Sequence, residues 1–182
     1  MEKKEIKSEV EIPTGVTVEV DQDTVSVKGE KGSVSKKLFN PRVAIAVQNN
    51  KVVIKALRLS KREKKLVNSF AAHLRNMVKG VKEPYKYVLK VCSGHFPMTV
   101  SINGDEFSIK NFLGEKAPRI LKLKQDVSVK VEGDRLLVES VSKELASQTA
   151  ADIEQLTRRT KYDTRIFQDG IYITIKDGKE LK

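Results

Sequence analysis

The stretches Val16-Thr17-Val18-Glu19-Val20 and Met98-Thr99-Val100-Ser101-Ile102 decide the fold, because shifting the chain by 82 residues lays the first over the second. In both stretches apolar and polar side chains alternate, as a half-buried β-strand requires. The same shift pairs four further residues in the same order: Asp23 with Asp105, Ser26 with Ser108, Lys28 with Lys110, and Gly32 with Gly114. This order indicates an internal duplication.

The match continues downstream when small gaps are allowed. Residues 43–47 fall on 127–131, residues 52–54 on 136–138, and Ala71-Ala72 on Ala150-Ala151. A repeat of about 80 residues is a plausible small domain. Because Gly80 and Pro84 favour a helix stop and a linker, we expect two domains, 1–82 and 83–182.

Each repeat shows strands first and one helix afterwards. Ser60 and Glu63 have the spacing of a capping box, which predicts a first helix that begins there and ends near Gly80. Its expected apolar stripe is Leu66, Phe70, Leu74 and Met77, flanked by Val67, Ala71 and Val78. A second helix is expected to begin near Ser142. Asn103-Gly104 predicts a type I′ hairpin turn. The predicted fold class is α+β, a tandem duplication of a small antiparallel β-sheet unit packed on one α-helix.

Composition narrows the class of protein. The chain has 182 residues, of which 39% are hydrophobic, and its net charge is +11, so we expect a globular protein that binds polyanions. A single cysteine, Cys92, excludes an internal disulfide framework. The Met1-Glu2-Lys3-Lys4 start lacks the apolar core of a signal peptide, and no apolar run approaches the length of a membrane span, so we expect no membrane association.

Residues that carry enzyme chemistry are sparse. Only His73, His95 and Cys92 are of the His or Cys type, fewer than the roughly four ligands of a zinc site, so no metal and no cofactor are expected. Cys92 and His95 lack an identifiable orienting acid. Gly29-Glu30-Lys31-Gly32 is interpreted as a turn instead of a phosphate loop. We predict that the chain is not an enzyme.

Positive charge is concentrated in two places. Residues 1–82 carry a net +9 and residues 83–182 a net +2. The first helix opens with the basic cluster Lys61, Arg62, Lys64 and Lys65, and a second cluster near the carboxyl end contains Arg158, Arg159, Lys161 and Arg165. Since stacking motifs for unpaired bases are absent, we expect contacts to the phosphates and sugars of structured nucleic acid.

The segment from Thr157 to Ile173 follows the second helix and leads into a predicted final strand that contains Ile171, Ile173 and Ile175. Together with the internal repeat, this segment resembles the archaeal branch of the large-subunit ribosomal protein six family. The family is also called universal ribosomal protein six, and its eukaryotic counterpart is large-subunit protein nine. The residues that carry the family's motif of Arg-x-Phe-x-Asp-Gly and a later aromatic are Arg165, Phe167, Asp169, Gly170 and Tyr172. Ile12-Pro13-x-Gly15-Val16, Arg75 to Gly80 and Gly94-His95-Phe96-Pro97 also resemble family stretches.

The resemblance implies a structural constituent of the large ribosomal subunit in the cytoplasm, bound to large-subunit rRNA near the sarcin–ricin loop and the factor-binding region. Neighbouring ribosomal proteins would be partners, with translation factors nearby. The expected RNA-binding residues of the second domain are Arg158, Arg159, Lys161, Tyr162, Arg165, Asp169, Gly170, Tyr172, Gly94 and His95. The Lys61, Arg62, Lys64 and Lys65 cluster would serve RNA or a neighbouring protein.

Two other classes of function stay open at the level of sequence. One is a regulator outside the ribosome that binds structured RNA, since a basic chain alone does not distinguish it from a ribosomal component. The other is a small nuclease that uses Asp21, Asp23 or His95. Incubation of purified protein with labelled RNA and magnesium separates the nuclease from both binding proteins, because a binding protein leaves the RNA intact.

Overall fold

The computed structural model describes residues 6–48, 50–56 and 60–181 and divides into two compact units, Met1–Pro84 and Tyr85–Lys182. The division falls two residues after the boundary expected from the sequence. The Met1-Glu2-Lys3-Lys4 start, for which we expect no signal peptide, lies outside the described residues. Within the described ranges no helix is long and apolar enough to cross a membrane.

The first unit contains two small antiparallel sheets and one helix. Its elements in chain order are β1 (Ile6–Glu11), β2 (Thr17–Asp21), β3 (Thr24–Gly29), β4 (Gly32–Lys37), β5 (Val43–Gln48), β6 (Lys51–Ala56) and α1 (Lys61–Lys82). One sheet has the order β1-β6-β5 and the other β2-β3-β4. Val27, Ile54 and Leu74 are fully buried. Sheets and helix therefore share a core of medium-sized aliphatic side chains.

The second unit repeats this plan and adds two strands. Its elements are β7 (Tyr85–Cys92), β8 (Thr99–Asn103), β9 (Glu106–Lys110), a 3-10 turn (Phe112–Gly114), β10 (Arg119–Lys122), β11 (Ser128–Glu132), β12 (Arg135–Ser140), α2 (Lys143–Leu156), β13 (Gly170–Lys176) and β14 (Lys179–Glu180). The sheets have the orders β10-β9-β8 and β11-β12-β7-β13-β14. The α+β tandem duplication is confirmed, and each repeat proves to contain two sheets.

The duplication extends to single hydrogen bonds. In the first unit the Leu38 N–H donates to the Asp23 carbonyl at 2.8 Å, and in the second the Leu123 N–H donates to the Asp105 carbonyl at 2.7 Å. The two acceptors lie in the turns of the β2–β3 and β8–β9 hairpins. The 82-residue shift pairs these two positions. The same loop closure is therefore used twice.

Helix α1 begins where the capping box predicts and ends later than expected. The Ser60 hydroxyl accepts from the Arg62 and Glu63 N–H groups and donates to the Glu63 carboxylate. The helix runs past the buried Gly80 to Lys82, since Val81 is fully buried and its carbonyl accepts from the Lys31 N–H at 3.1 Å. Tertiary contacts thus override the helix-stop preference of glycine.

Two other local predictions need correction. Leu66 and Phe70 were expected in the middle of the stripe but are only partly buried. The face of α1 that meets the sheets is centred on Leu74 and the expected flanking residues Val67 and Ala71. In the hairpin of β8 and β9, Asn103 pairs with Glu106, so Gly104 and Asp105 are the turn residues. Gly104 has φ 60° whereas Asp105 has no positive φ, which excludes the expected type I′ turn.

The turn between β3 and β4 lies directly against the end of α1. A Cβ atom on Gly29 would approach the Val81 carbonyl oxygen to 2.9 Å and the Val81 Cβ to 3.0 Å. The stretch Gly29-Glu30-Lys31-Gly32 is therefore a packed hairpin turn, as interpreted from the sequence.

We expect Gly29→Ala to destabilise the first unit by about 1–3 kcal/mol, because backbone must move to admit the methyl group. Hydrogen exchange of the α1 and β3 amides measures the change in the free energy of local opening. Gly94→Ala is the matched control, since its Cβ would lie 4.0 Å from the nearest heavy atom. Equal protection of these amides in the Gly29→Ala and wild-type chains would contradict the close packing of Gly29 on Val81.

Candidate nucleic-acid interface

The predicted basic segment joins the end of α2 to the start of β13. Thr157 caps the helix and is buried, with its hydroxyl donating to the Glu154 carbonyl at 2.9 Å. The same oxygen accepts from the Ile171 N–H at 3.1 Å. One side chain therefore holds both ends of the segment that runs from 158 to 170.

Thr157→Val is expected to weaken the link between the end of α2 and the start of β13 while keeping the shape of the side chain. The valine leaves the buried Ile171 N–H without its acceptor, which costs about 1–3 kcal/mol. Urea unfolding followed by a probe in the second unit measures the loss of stability. Thr164→Val, at an exposed position of the same segment, is the control. An equal effect of the two substitutions would rule out the bridging role.

Asp169 connects this segment to the loop that follows β7. Its Oδ1 accepts from the backbone N–H groups of Gly94 at 2.5 Å and His95 at 2.9 Å, and its Oδ2 lies 2.5 Å from the His95 Nδ1. The Asp169 side chain is only 2% exposed. It lies inside the site, so we assign it to positioning the two loops instead of contacting RNA.

The electrostatics of Asp169 follow from these contacts. Burial alone would raise the pKa of its carboxyl group, but the His95 backbone and ring and the Gly94 backbone donate to it and hold the pKa below the ordinary value. The carboxylate is therefore ionised at neutral pH, where it accepts all three contacts.

An aromatic cluster covers this connection. The His95 ring stacks on Phe167 with 4.7 Å between centroids and 25° between planes, and Tyr162 meets Phe167 edge-on at 5.0 Å. His95 and Tyr162 remain 37% and 49% exposed. Flat faces beside cationic side chains suit the packing of sugars and bases of RNA.

The four cationic residues predicted in this segment have different environments. Arg158, Lys161 and Arg165 are exposed, and the Arg165 guanidinium makes two contacts to the Asp163 carboxylate at 3.1 and 2.8 Å. The Arg165 side chain and backbone N–H together lower the pKa of Asp163. Arg165 is 88% exposed, so this pair contributes little stability and leaves the guanidinium accessible.

Arg159 is the exception among the four. Its Nη1 donates to the Asp169 carbonyl oxygen, and its Nε is buried without a hydrogen-bond partner in the described part of the chain. The guanidinium therefore holds the end of the segment, and we assign to Arg159 a partly structural role that the basic pattern did not reveal.

Arg119 is a further residue that the sequence did not single out. Its Nη1 donates to the carbonyl oxygens of Leu156 at 2.6 Å and Arg158 at 3.3 Å. Glu115 pairs with the same guanidinium at 2.6 Å, and the ring of Phe112 lies 4.3 Å below it. A cation at a helix C-terminus is favoured by the helix dipole. Because Arg119 lies far from the end of α2 in sequence, no local sequence motif predicts this contact.

Gly170 and Tyr172 pack on each other at the start of β13. A Cβ on Gly170 would lie 3.0 Å from the Tyr172 hydroxyl oxygen and 3.1 and 3.2 Å from two carbons of its ring. The Tyr172 hydroxyl donates to the Gln168 carbonyl at 3.2 Å. Tyr172 thus folds back over the chain, while Gly170 is buried beneath it.

The basic cluster of the first unit occupies the first turn of α1. Lys61, Arg62, Lys64 and Lys65 are all exposed, whereas Glu63 between them is buried and pairs with Arg42 at 3.0 Å. Arg42 lowers the pKa of Glu63 chiefly through this hydrogen bond. Cations near a helix N-terminus are disfavoured by the dipole, so helix stability does not explain the cluster.

In the second unit the Asp169 carboxylate contacts the His95 ring, a pairing that the sequence did not identify. An Asp–His pair occurs in hydrolase triads, but Cys92 has no hydrogen bond to His95 in the described part of the chain. In these same ranges no group of three or more His, Cys, Asp or Glu residues is arranged to hold a metal ion.

Comparison with known proteins gives matches over both units. A sequence profile of the family described as Ribosomal protein L6 matches residues 12–84 and 96–170. The large ribosomal subunit protein uL6 of Methanosarcina mazei is 44% identical over 173 residues, which cover 95% of this chain and 98% of the relative. The uL6 proteins of Methanococcus vannielii and Natronomonas pharaonis are 44% and 45% identical over 97% and 93% of this chain, and over 97% and 96% of their own lengths.

Proposed function

This chain belongs to the ribosomal protein L6 family, and from that membership we propose that its second unit binds large-subunit rRNA near the sarcin–ricin loop and the factor-binding region. The general role that this membership supports is that of a structural constituent of the large ribosomal subunit. The relatives are ribosomal proteins, which are not enzymes, so the prediction that the chain is not an enzyme is confirmed.

One observation carries the proposed RNA contact. Arg158, Lys161 and Arg165 are exposed on a segment whose two ends are fixed by Thr157 and Asp169. Fixed cations bind phosphates with less loss of side-chain and loop entropy than mobile ones. The segment therefore combines positive charge with fixed ends, and both favour binding to folded RNA.

The individual residues take distinct roles in this proposal. Arg158, Lys161 and Arg165 bind phosphate oxygens, and an arginine can contact two oxygens of one phosphate. Tyr162 and His95 present their rings to a sugar or base. Gly94, Asp169, Arg159, Gly170 and Tyr172 hold the segment and its neighbouring loop in position.

The Lys61, Arg62, Lys64 and Lys65 cluster is assigned to a second contact with rRNA or with a neighbouring ribosomal protein. In the cytoplasmic ribosome translation factors would act near the surface that the second unit supports. The alternative is a regulator outside the ribosome that binds structured RNA.

Sedimentation separates the proposal from this alternative. A lysate is layered on a sucrose cushion at high salt, and the large-subunit fraction is probed for the chain. We expect stoichiometric retention, because a protein that makes many phosphate contacts within a folded subunit is not released when only outer contacts are screened. Recovery in the free pool would support the regulator.

A further inference from the structure

The two repeats differ at one sheet edge, and the difference exposes a groove in the first unit. The Ile12 N–H donates to the Asn50 carbonyl at 3.0 Å, and the Val91 N–H donates to the Asp134 carbonyl at 2.8 Å, so β1 corresponds to β7. The matching sheets have the orders β1-β6-β5 and β7-β12-β11, but β7 also pairs with β13 on its other edge. Within the described residues no strand pairs with that edge of β1.

A groove of about 500 Å³ lies along this edge, between β1 and α1. Its lining includes the apolar residues Val10, Ile12 and Val78 and three cations from the last two turns of the helix, Arg75, Lys79 and Lys82. Glu9 and Glu11 also line it, but Lys51 pairs with their carboxylates at 3.7 and 3.4 Å, so the positive charge of the helix side predominates. In the second unit β13 packs against both β7 and α2 at the corresponding place. The groove therefore has the position of a missing strand.

The backbone of β1 is oriented to receive such a strand. Because the Ile12 N–H points towards Asn50 beside β6, the alternation of an antiparallel ladder directs the backbone groups of Glu11 and Glu9 towards the open edge. The corresponding residues of β7, Lys90 and Val88, face β13.

The helix beside the groove specifies a different occupant from β13. In the second unit the Glu154 carboxylate accepts from the Ile173 N–H at 3.0 Å, and Thr157 accepts from the Ile171 N–H. Aligning Ala71-Ala72 with Ala150-Ala151 places Arg75 and Val78 at these two positions. The hydrogen-bond donor Arg75 therefore replaces the acceptor Glu154, so the groove favours an occupant that brings its own acidic groups.

We propose that this groove binds an extended, acidic segment of another protein, which pairs antiparallel with β1 in the position that β13 takes on β7. Backbone hydrogen bonds to Glu9 and Glu11 provide affinity, while alternate apolar side chains reach Val10 and Val78. Carboxylates of the segment pair with Arg75 and Lys82. RNA is disfavoured, because an apolar floor and strand hydrogen bonds do not suit a phosphate backbone.

The test uses the full chain and a defined probe, the labelled peptide Asp-Ile-Glu-Ile-Asp-Ile-Glu, with Lys-Ile-Arg-Ile-Lys-Ile-Arg as its basic counterpart. We expect the acidic peptide to bind at least tenfold more tightly and to shift the amide resonances of Glu9 and Glu11. Glu9→Pro should reduce its binding at least tenfold, because proline removes an N–H only from the open edge. Glu9→Ala, which loses the same charge but keeps the N–H, should bind within about twofold of wild type.

Three results would overturn this proposal. The first is equal binding by the Glu9→Pro and Glu9→Ala chains when hydrogen exchange shows the pairing of β1 with β6 intact. The second is tighter binding of heptauridylate than of the acidic peptide, with its loss in Arg75→Glu but not in the control Lys130→Glu. The third is self-association through this edge, seen as a dimer that Glu9→Pro dissolves. Binding of rRNA by the second unit is expected to be unchanged in Glu9→Pro, which separates this proposal from the proposed function.

Discussion

Asp169→Ala is expected to destabilise the second unit by about 3 kcal/mol and to weaken its binding of rRNA at least tenfold. The substitution leaves the backbone N–H groups of Gly94 and His95 without the buried carboxylate that accepts from them. Hydrogen bonds to a buried charge are worth more than neutral ones, which sets the size of the effect. Urea unfolding and a filter-binding titration measure the two losses.

The effect has a predictable pH dependence. Because the folded-state pKa of Asp169 is lower than in the unfolded chain, its contribution is complete above the unfolded pKa of about 3.9. It is lost as the pH falls towards the folded pKa. The difference in unfolding free energy between wild type and Asp169→Ala should therefore shrink as the pH falls below about 4.

The matched control for this substitution is Asp163→Ala. Asp163 belongs to the same segment and also accepts from an N–H group and a cation, but its partner Arg165 is highly exposed. We expect Asp163→Ala to change stability much less than Asp169→Ala. Equal losses in the two variants would show that Asp169 does not organise the site.

Replacing Arg158, Lys161 and Arg165 together with alanine is expected to lower the affinity for large-subunit rRNA roughly 100-fold without unfolding the chain. Each exposed cation that neutralises a phosphate releases counterions, so the slope of log affinity against log salt should fall by about 2–3. Adding Arg159→Ala should weaken binding further and also destabilise the second unit, because Arg159 holds the Asp169 carbonyl.

The control for the triple variant removes the same charge from another part of the second unit. Lys116, Lys122 and Lys130 are exposed and lie outside the proposed interface. Their replacement with alanine should weaken binding only through the net charge, with a much smaller change in the salt slope. Equal slopes of log affinity against log salt for the two triple variants would show that the segment binds RNA only through nonspecific charge attraction.

The fold could be predicted from the sequence because its determinants are local and occur twice. The strand alternation from Val16 to Val20 and the Ser60–Glu63 capping box each act within a few residues. The stop expected at Gly80 was wrong because Val81 packs in the core and its carbonyl accepts from Lys31, which lies far away in sequence. Local preferences of about 1 kcal/mol give way to such contacts.

The contacts among the predicted site residues could not be predicted from the sequence. The family resemblance drew attention to Gly94, His95 and Asp169, yet no local pattern shows that the carboxylate of Asp169 accepts from the other two residues 74 or 75 positions away. Arg119 escaped notice for the same reason. Net charge also pointed elsewhere, since the first 82 residues carry most of it.

The most direct test of the central claim is hydroxyl-radical cleavage of rRNA from an iron chelate attached to the terminal segment within the large subunit. Thr164→Cys carries the chelate, Ser128→Cys on β11 is the control, and Cys92 is replaced with alanine in both chains. We predict strong cleavage in and around the sarcin–ricin loop from position 164 and little or none there from position 128. Cleavage of that region from position 128 but not from position 164 would contradict the assignment of the Arg158–Arg165 segment as the principal rRNA contact.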